Sequence, residues 1–382
     1  VGVLHAFTGQ NAFFGQNAQM ACKAAAQEIN AAGGAWGHNI SCSVYDTKGD
    51  PADAVPVATR MVASAPNLSM VMGPDGNDIP AVLPLLEQQK IPEMNTVGDP
   101  RYDKQTSQYF WRLTPSDSTQ APALAQYALS KGYNKVAEVF TSDQSAQTTT
   151  QPFEAAYKAG GGTVVTKLNM APDQASYQTE VSKVVKAHPQ AIVGELDPRT
   201  AATFFSEFLQ QNGSMIPFVA TQRTVQYDWA PAVAPAIGPQ NVAKYVEAIA
   251  PDFGTQGPAF EAYMNAVKSS GGDQGAANNP FVSSQYDGVV AFSLAMDLAH
   301  STSPSAYIAQ IANVTSPKSG AVVVHNYANG LKAIEAGKQI QYIGASGKMI
   351  FDKYNTATRA YALWTYDPAT KAWKMVQILP NS

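Results

Sequence analysis

Residues 69–99 constrain the fold of this chain more than any other stretch, because they read as two short buried strands with a helix between them. Residues 69–72 are apolar and stop at Gly73-Pro74-Asp75-Gly76-Asn77-Asp78, a turn signal that runs into a helix start. Asp78 is the expected N-cap, Pro80 suits the first turn, and Ile79, Val82, Leu83 and Leu86 recur at helical spacing. The helix is expected to end near Lys90, and residues 91–94 form a second strand that gives way to Asn95-Thr96-Val97-Gly98-Asp99-Pro100. In an open parallel sheet the loops leaving the carboxyl ends of the strands form the ligand crevice. Asp75, Asn77, Asp78, Gly98 and Asp99 are therefore expected to line one mouth.

The same unit recurs along the chain. Residues 1–5 read as a strand, residues 8–17 as a polar loop carrying Phe13 and Phe14, and residues 18–31 as a helix stopped by Gly33-Gly34. A strand at 39–45 and a helix at 52–65 lead into the stretch described above, which makes the pattern βαβαβαβ. After a strand-like 110–113 and a crossover at 115–118, a second series begins. It alternates helices at 123–131, 151–159, 177–187 and 200–211 with strands at 135–140, 163–169, 191–195 and 217–220. Helices at 259–268, 285–299 and 304–312 follow, then a β-rich segment at 348–379; residues 271–279 read as a surface loop. The fold class is α/β, with two doubly wound parallel sheets.

At 382 residues the chain is long enough for two domains or three small ones. Charged residues make up 14%, against about 25% in an average soluble chain. The net charge is −4, with no basic stripe interleaved with aromatics of the sort a phosphate backbone requires, so nucleic acid is not an expected partner. No apolar run approaches the length, about 18 residues or more, of a membrane span. The sequence opens inside a strand without Met, which fits removal of a secretory signal peptide and equally a trimmed start. Cys22 and Cys42 are the only cysteines. They fall in elements that pack together, and read either as a disulfide in an oxidising compartment or as two buried thiols.

Signals for catalysis are weak. The five histidines lack i, i+4 spacing, there is no HExxH or CxxC, and no glycine-rich nucleotide loop is present, so neither a metal nor a cofactor is expected. Gly344-Ala345-Ser346-Gly347 lacks the second spaced glycine of a nucleophile elbow. An enzyme is not the expected reading.

Several runs carry a family likeness: Gly2-Val3-Leu4, Thr8-Gly9, Gly15, Ala26-Gln27-Glu28-Ile29-Asn30-Ala31-Ala32-Gly33-Gly34, Tyr45-Asp46 and Gly49-Asp50-Pro51. Gly73-Pro74, Ile91-Pro92, Tyr286-Asp287, Tyr342-Ile343-Gly344-Ala345-Ser346-Gly347 and Phe351-Asp352 continue it to the far end. In order and spacing the chain resembles the branched-chain amino acid (leucine/isoleucine/valine) binding proteins of ABC transporters. The resemblance implies the type I periplasmic-binding fold, with two lobes joined by three chain crossings that close on a small solute and present it to a membrane permease. The crossings are expected near Ser116, Ala250 and Gly347, giving lobes 1–116 plus 251–347 and 117–250 plus 348–382. It further implies a monomer in the periplasm or outside the cell, with an amino-acid-like or amide-like ligand. A sensory receptor ectodomain or an amide-responsive regulator of the same fold is the alternative.

The resemblance also proposes ligand contacts. The position that supplies a hydroxyl to the ligand carboxylate matches Asn77, and the second mouth loop offers Gly98 and Asp99 where a small residue and a threonine are usual. Phe14 and Tyr286 match aromatic walls. Ser145 or Ala146 stands where a tyrosine is expected, Leu196-Asp197 replaces another, and the acid that pairs the ligand ammonium becomes Gln222, beside Arg223. A carboxylate at Asp99 or Asp197 favours a cationic or ammonium-bearing ligand. Each has an ordinary alternative: Asp99 shapes a turn before Pro100, Asp197 caps the helix that follows, and Phe14 and Tyr286 pack.

Overall fold

The computed structural model describes residues 1–8, 12–254 and 256–380, with the backbone alone at Gln144 and Ser145. The chain divides into two units: Val1–Val97, Arg101–Pro115 and Phe253–Arg359 form the first, and Gly98–Pro100, Ser116–Asp252 and Ala360–Ser382 the second.

In the first unit β1 (Gly2–His5) is buried along its whole length and pairs in parallel with β2 (Ser43–Asp46) on one side and β3 (Val71–Met72) on the other. With β4 (Glu93–Asn95) and β5 (Phe110–Arg112) they make a five-stranded parallel sheet of order β2-β1-β3-β4-β5. The crossovers are α1 (Ala12–Ala31), α2 (Pro51–Ser64) and α3 (Ile79–Gln88). Helix α2 starts as its sequence dictates, with Pro51 in the first turn and the Asp50 carboxylate accepting from the Ala52 N–H.

Two local expectations are corrected. Helix α1 begins at Ala12 and not near Ala18, because the Gly15 N–H donates to the Ala6 carbonyl (3.2 Å) and turns the chain directly from β1 into the helix. A Cβ at Gly15 would stand 2.5 Å from that carbonyl oxygen, so only glycine allows the turn. Asp78 holds the expected N-cap position but does not cap with its side chain: its backbone is already helical, its side chain makes no capping bond, and its N–H bonds the Asp75 carbonyl.

The second unit opens with α4 (Asp117–Ser130), capped by Ser116, whose Oγ accepts from the Ser118 N–H at 3.1 Å. It continues through β6 (Lys135–Thr141), α5 (Gln144–Ala159), β7 (Thr163–Met170), α6 (Gln178–Ala187), β8 (Ala191–Glu195), α7 (Pro198–Asn212) and β9 (Phe218–Ala220). Helices α8 (Trp229–Ile237) and α9 (Pro239–Tyr245) then lead to β10 (Val246–Pro251).

Back in the first unit, α10 (Pro258–Ser269) and the single turn α11 (Gln274–Ala277), which lies within the expected loop, precede α12 (Pro280–Ala299). Helix α12 is buried on almost every side, so amphipathic spacing could not locate its start, which lies five residues before the expected Gln285. Next come α13 (Pro304–Tyr307), α14 (Ile311–Thr315), β11 (Val322–Val324), α15 (Tyr327–Glu335), β12 (Ile340–Tyr342), β13 (Ile350–Phe351) and β14 (Ala357–Thr358). The last two strands, β15 (Tyr361–Asp367) and β16 (Ala372–Ile378), complete the second unit's sheet in the order β16-β15-β10-β9-β8-β6-β7. Its β10 to β7 portion is parallel, while β15 and β16 are antiparallel additions.

The final division falls after Arg359 and not near Gly347. Residues 348–359 stay with the first unit because β13 and β14 pair with each other and the Arg112 N–H bonds the Asn355 carbonyl at 2.9 Å. Cys22 in α1 and Cys42 just before β2 are joined by a disulfide, with Cα atoms 6.1 Å apart. No helix among the described residues is long and apolar enough to cross a membrane.

Candidate functional site

In the first unit the carboxyl ends of β1 and β3 are neighbours, and helices leave them from this switch point in strand order. Asp75 bridges the two ends: one carboxylate oxygen meets His5 Nδ1 at 2.7 Å and the other accepts from the Ala6 N–H at 2.8 Å. Asp46 does the same for β2, accepting from the Phe7 and Lys48 N–H groups and from the Thr8 hydroxyl. Burial pushes the Asp46 carboxyl up, but those hydrogen bonds together outweigh it and leave the group below its usual range. Asp78 is fully buried, and burial raises its carboxyl to about 6 against the opposing effect of Thr47, with Asp75 adding repulsion.

Of the first unit's expected contacts, Asp75, Asn77 and Phe14 stand at this mouth. Asn77 is exposed, and Phe14 is 40% exposed with its ring 4.1 Å from that of Phe13. Tyr286 does not join them. It is 2% exposed in the second turn of α12, its ring 4.9 Å from Tyr263 and its hydroxyl on the Glu28 carboxylate, so packing is its role here.

The second unit's mouth is rich in acids. The Gly98 carbonyl accepts from the Asp117 N–H at 2.8 Å, and a Cβ on Gly98 would lie 2.2 Å from Asp117 Oδ1. Asp99 is buried beside this turn. Asp197, just past β8, caps α7 by accepting from the Arg199 and Thr200 N–H groups, both at 3.1 Å. Its other oxygen, Oδ2, is buried and has no hydrogen-bond partner, as is Oε1 of Gln222 just past β9. Arg223 sits against Asp228 with two parallel bonds of 2.8 and 2.9 Å and also reaches Gln226, so its guanidinium is engaged within the unit. The side chain of Ser145 lies outside the described residues; Ala146 beside it is buried.

Sequence reasoning missed three acids that the fold gathers here, each tied by a threonine. Asp117 accepts from Thr148 Oγ1 at 2.6 Å, Asp143 from Thr141 Oγ1 at 2.5 Å, and Glu195 from Thr221 Oγ1 at 2.5 Å. Burial pushes the Glu195 carboxyl up to about 8; the Thr221 bond opposes this, Asp143 and Asp117 add repulsion, and Arg223 offsets part of it. The one available signal was position, since Asp117 and Asp143 flank helix starts and Glu195 ends a strand. Among the described residues no group of three or more His, Cys, Asp or Glu is arranged to hold a metal.

Two α/β units, each with polar groups gathered at the carboxyl ends of a parallel sheet, define a binding protein of the type I periplasmic-binding fold. The chain belongs to the periplasmic binding protein family, which matches residues 1–371. A Leu/Ile/Val-binding protein homologue of Brucella melitensis is 24% identical over 193 residues, 50% of this chain and 52% of that protein. The Leu/Ile/Val-binding protein BraC3 of Rhizobium johnstonii is 26% identical over 188 residues, 48% of this chain and 50% of that protein. The matched stretch thus spans about half the length of these curated relatives. Among solved structures, a solute-binding protein of an R. palustris ABC transporter in complex with 4-hydroxybenzoate superposes with a TM-score of 0.76 at 18% identity, covering 99% of this chain and 96% of that one. LivJ of Streptococcus pneumoniae in complex with isoleucine gives 0.75 at 19% identity, covering 98% of both chains. At these identities the structural likeness carries the fold alone.

Proposed function

We propose that this chain is the extracytoplasmic solute-binding component of an ABC importer, acting as a monomer that delivers a small ammonium-bearing solute to a membrane permease. Membership of the periplasmic binding protein family supports the carrier role. One observation carries the solute class: Asp197 Oδ2 and Gln222 Oε1, at the ends of adjacent strands, are buried acceptors without a donor. An acceptor left unpaired out of water costs about 1–3 kcal/mol, and an ammonium group supplies the donors. The surrounding charge agrees, because Asp117 and Asp143 lie near and Arg223 is held by Asp228. Asp99 and Gly98 complete the reading on this unit, with Phe14, Asp75 and Asn77 on the first.

The test is a thermal-shift panel of branched-chain amino acids, polyamines, amides and aromatic acids. A ligand present at 100 times its dissociation constant stabilises by about 2.7 kcal/mol. The expected outcome is a shift confined to ammonium-bearing compounds and lost in Asp197→Asn combined with Gln222→Leu. A largest shift from an aromatic acid lacking an ammonium group sinks the solute class, and no shift from any compound sinks the carrier reading.

A further inference from the structure

A second candidate site lies in the first unit, away from the mouth. Three helices end around one cavity of about 500 Å³: α1 closes into Gly33 and Gly34, α12 into His300, and α15 at Ile334 and Glu335. Because α1 runs from the carboxyl end of β1 back to the start of β2, its C-terminus lies at the opposite end of the sheet from the ligand mouth. Each helix C-terminus carries roughly half a negative charge, most strongly felt within the last turn. Neither α1 nor α12 has a basic residue in its last turn to offset this, whereas α15 carries Lys332 in its last turn; no lysine or arginine is among the described residues that line the cavity.

The walls add to the same preference. Trp36 is 46% exposed and holds a left-handed backbone (φ 47°), a conformation costly for a bulky residue. Buried Asp297 holds it there: one oxygen accepts from the Trp36 N–H at 2.7 Å and the other from the Tyr327 hydroxyl at 2.7 Å. The indole stands 4.6 Å from the imidazole of His300, itself left-handed (φ 51°), so two strained residues present rings to one cavity. Glu335 is exposed on its rim and, among the described residues, has no ion-pair partner.

From this geometry we infer that the cavity binds an organic cation, a guanidinium or alkylammonium group, between the Trp36 indole and the Glu335 carboxylate. The aromatic face attracts the cation, the ends of α1 and α12 and the Glu335 carboxylate supply the negative field, and the strained Trp36 turn holds the ring in place. The site is separate from the solute site proposed on the second unit.

The test titrates agmatine, with the uncharged butylurea beside it, into the intact chain while NMR follows the Trp36 indole N–H and the His300 ring. The expected result is saturable shifts with agmatine, none of comparable size with butylurea, and a midpoint roughly tenfold higher in Glu335→Gln. Calorimetry on Trp36→Leu, whose fold is checked by circular dichroism, is expected to show the same loss. The tripeptide Gly-Arg-Gly forms the second arm: binding tighter than agmatine supports a partner's side chain as the cation, and looser binding supports a free solute. An equal response to butylurea overturns the inference, as does an unchanged midpoint in Glu335→Gln. Shifts at Gln222 with Trp36 and His300 silent also overturn it, and leave the solute reading on the second unit standing.

Discussion

Asp287 and Ser346 are joined twice: the Ser346 N–H and hydroxyl both donate to Asp287 Oδ2, at 2.7 and 2.5 Å. The other carboxylate oxygen accepts from the Tyr342 hydroxyl at 2.7 Å and the Ala345 N–H at 2.9 Å. Four donors thus converge on one wholly buried acid of α12, and Arg359, the last residue of the first unit, bonds the Ser346 carbonyl and hydroxyl from the other side. The loop that looked like a poor nucleophile elbow is a clasp that fastens α12 to the end of the first unit.

Removing the acid leaves those donors buried and unpaired. Asp287→Ala is expected to lower the unfolding free energy by about 3 kcal/mol or more, measured by urea denaturation. Gly344→Ala is expected to act on the same clasp, since its Cβ would stand 2.1 Å from Asp287 Oδ1. A loss below about 1 kcal/mol in both variants contradicts the clasp.

The Cys22–Cys42 bridge joins residues 20 apart. For a loop of this length the unfolded-state constraint amounts to about 3 kcal/mol. The double variant Cys22→Ala/Cys42→Ala, like the reduced protein, is expected to show that loss in equilibrium unfolding, with the far-ultraviolet spectrum of the folded state unchanged.

Glu195 governs a pH dependence. Its folded-state carboxyl is raised from 4.5 to about 8, so between these values the folded state holds a proton that the unfolded state has released. The associated stability is fully present below about pH 4.5 and is lost as pH rises toward 8. Subtracting the stability of Glu195→Gln from that of the unaltered chain at each pH is expected to give a curve that falls across this window. A flat difference curve would place an ionised Glu195 in the fold.

Gly194 in β8 has no room for a side chain, because a Cβ there would lie 1.8 Å from the Val139 carbonyl oxygen of β6. A neighbouring strand's backbone cannot yield as a side chain does. Gly194→Ala is expected to cost about 3 kcal/mol, at the upper end of ordinary overpacking, and to be visible in thermal denaturation.

Gly98→Ala tests the second unit's mouth. Its Cβ meets the Asp117 carboxylate, which turns away and releases Thr148. The expected outcome is weaker binding of whichever solute gives the largest thermal shift, with stability changed by about 1 kcal/mol or less. Unaltered affinity would remove Gly98 and Asp117 from the site.

The alternation of strand and helix was readable because it rests on local periodicity and turn chemistry. Asp197 is an example: an acid followed by proline announces a helix cap, and that is where its Oδ1 is spent. Two of the three threonine-tied acids were not readable: Asp117 and Thr148 are 31 residues apart and Glu195 and Thr221 are 26 apart, so no window of sequence brings them together, whereas Thr141 and Asp143 are only 2 apart. Tyr286 shows the reverse, a residue that the resemblance sets against a ligand and the fold turns toward Tyr263 and Glu28.

What the sequence determined by itself was the order of the elements and the family, since hydrophobic spacing, capping residues and glycine stops act over a few residues. Tertiary structure alone decided which side chains face one another. Parallel pairing of β8 with β6 and β9 brought Glu195 beside Asp143 and Thr221, and the shared ends of α1, α12 and α15 set Trp36 against His300. The physical reason is that burial and charge act through space, across separations that the chain's local code does not record.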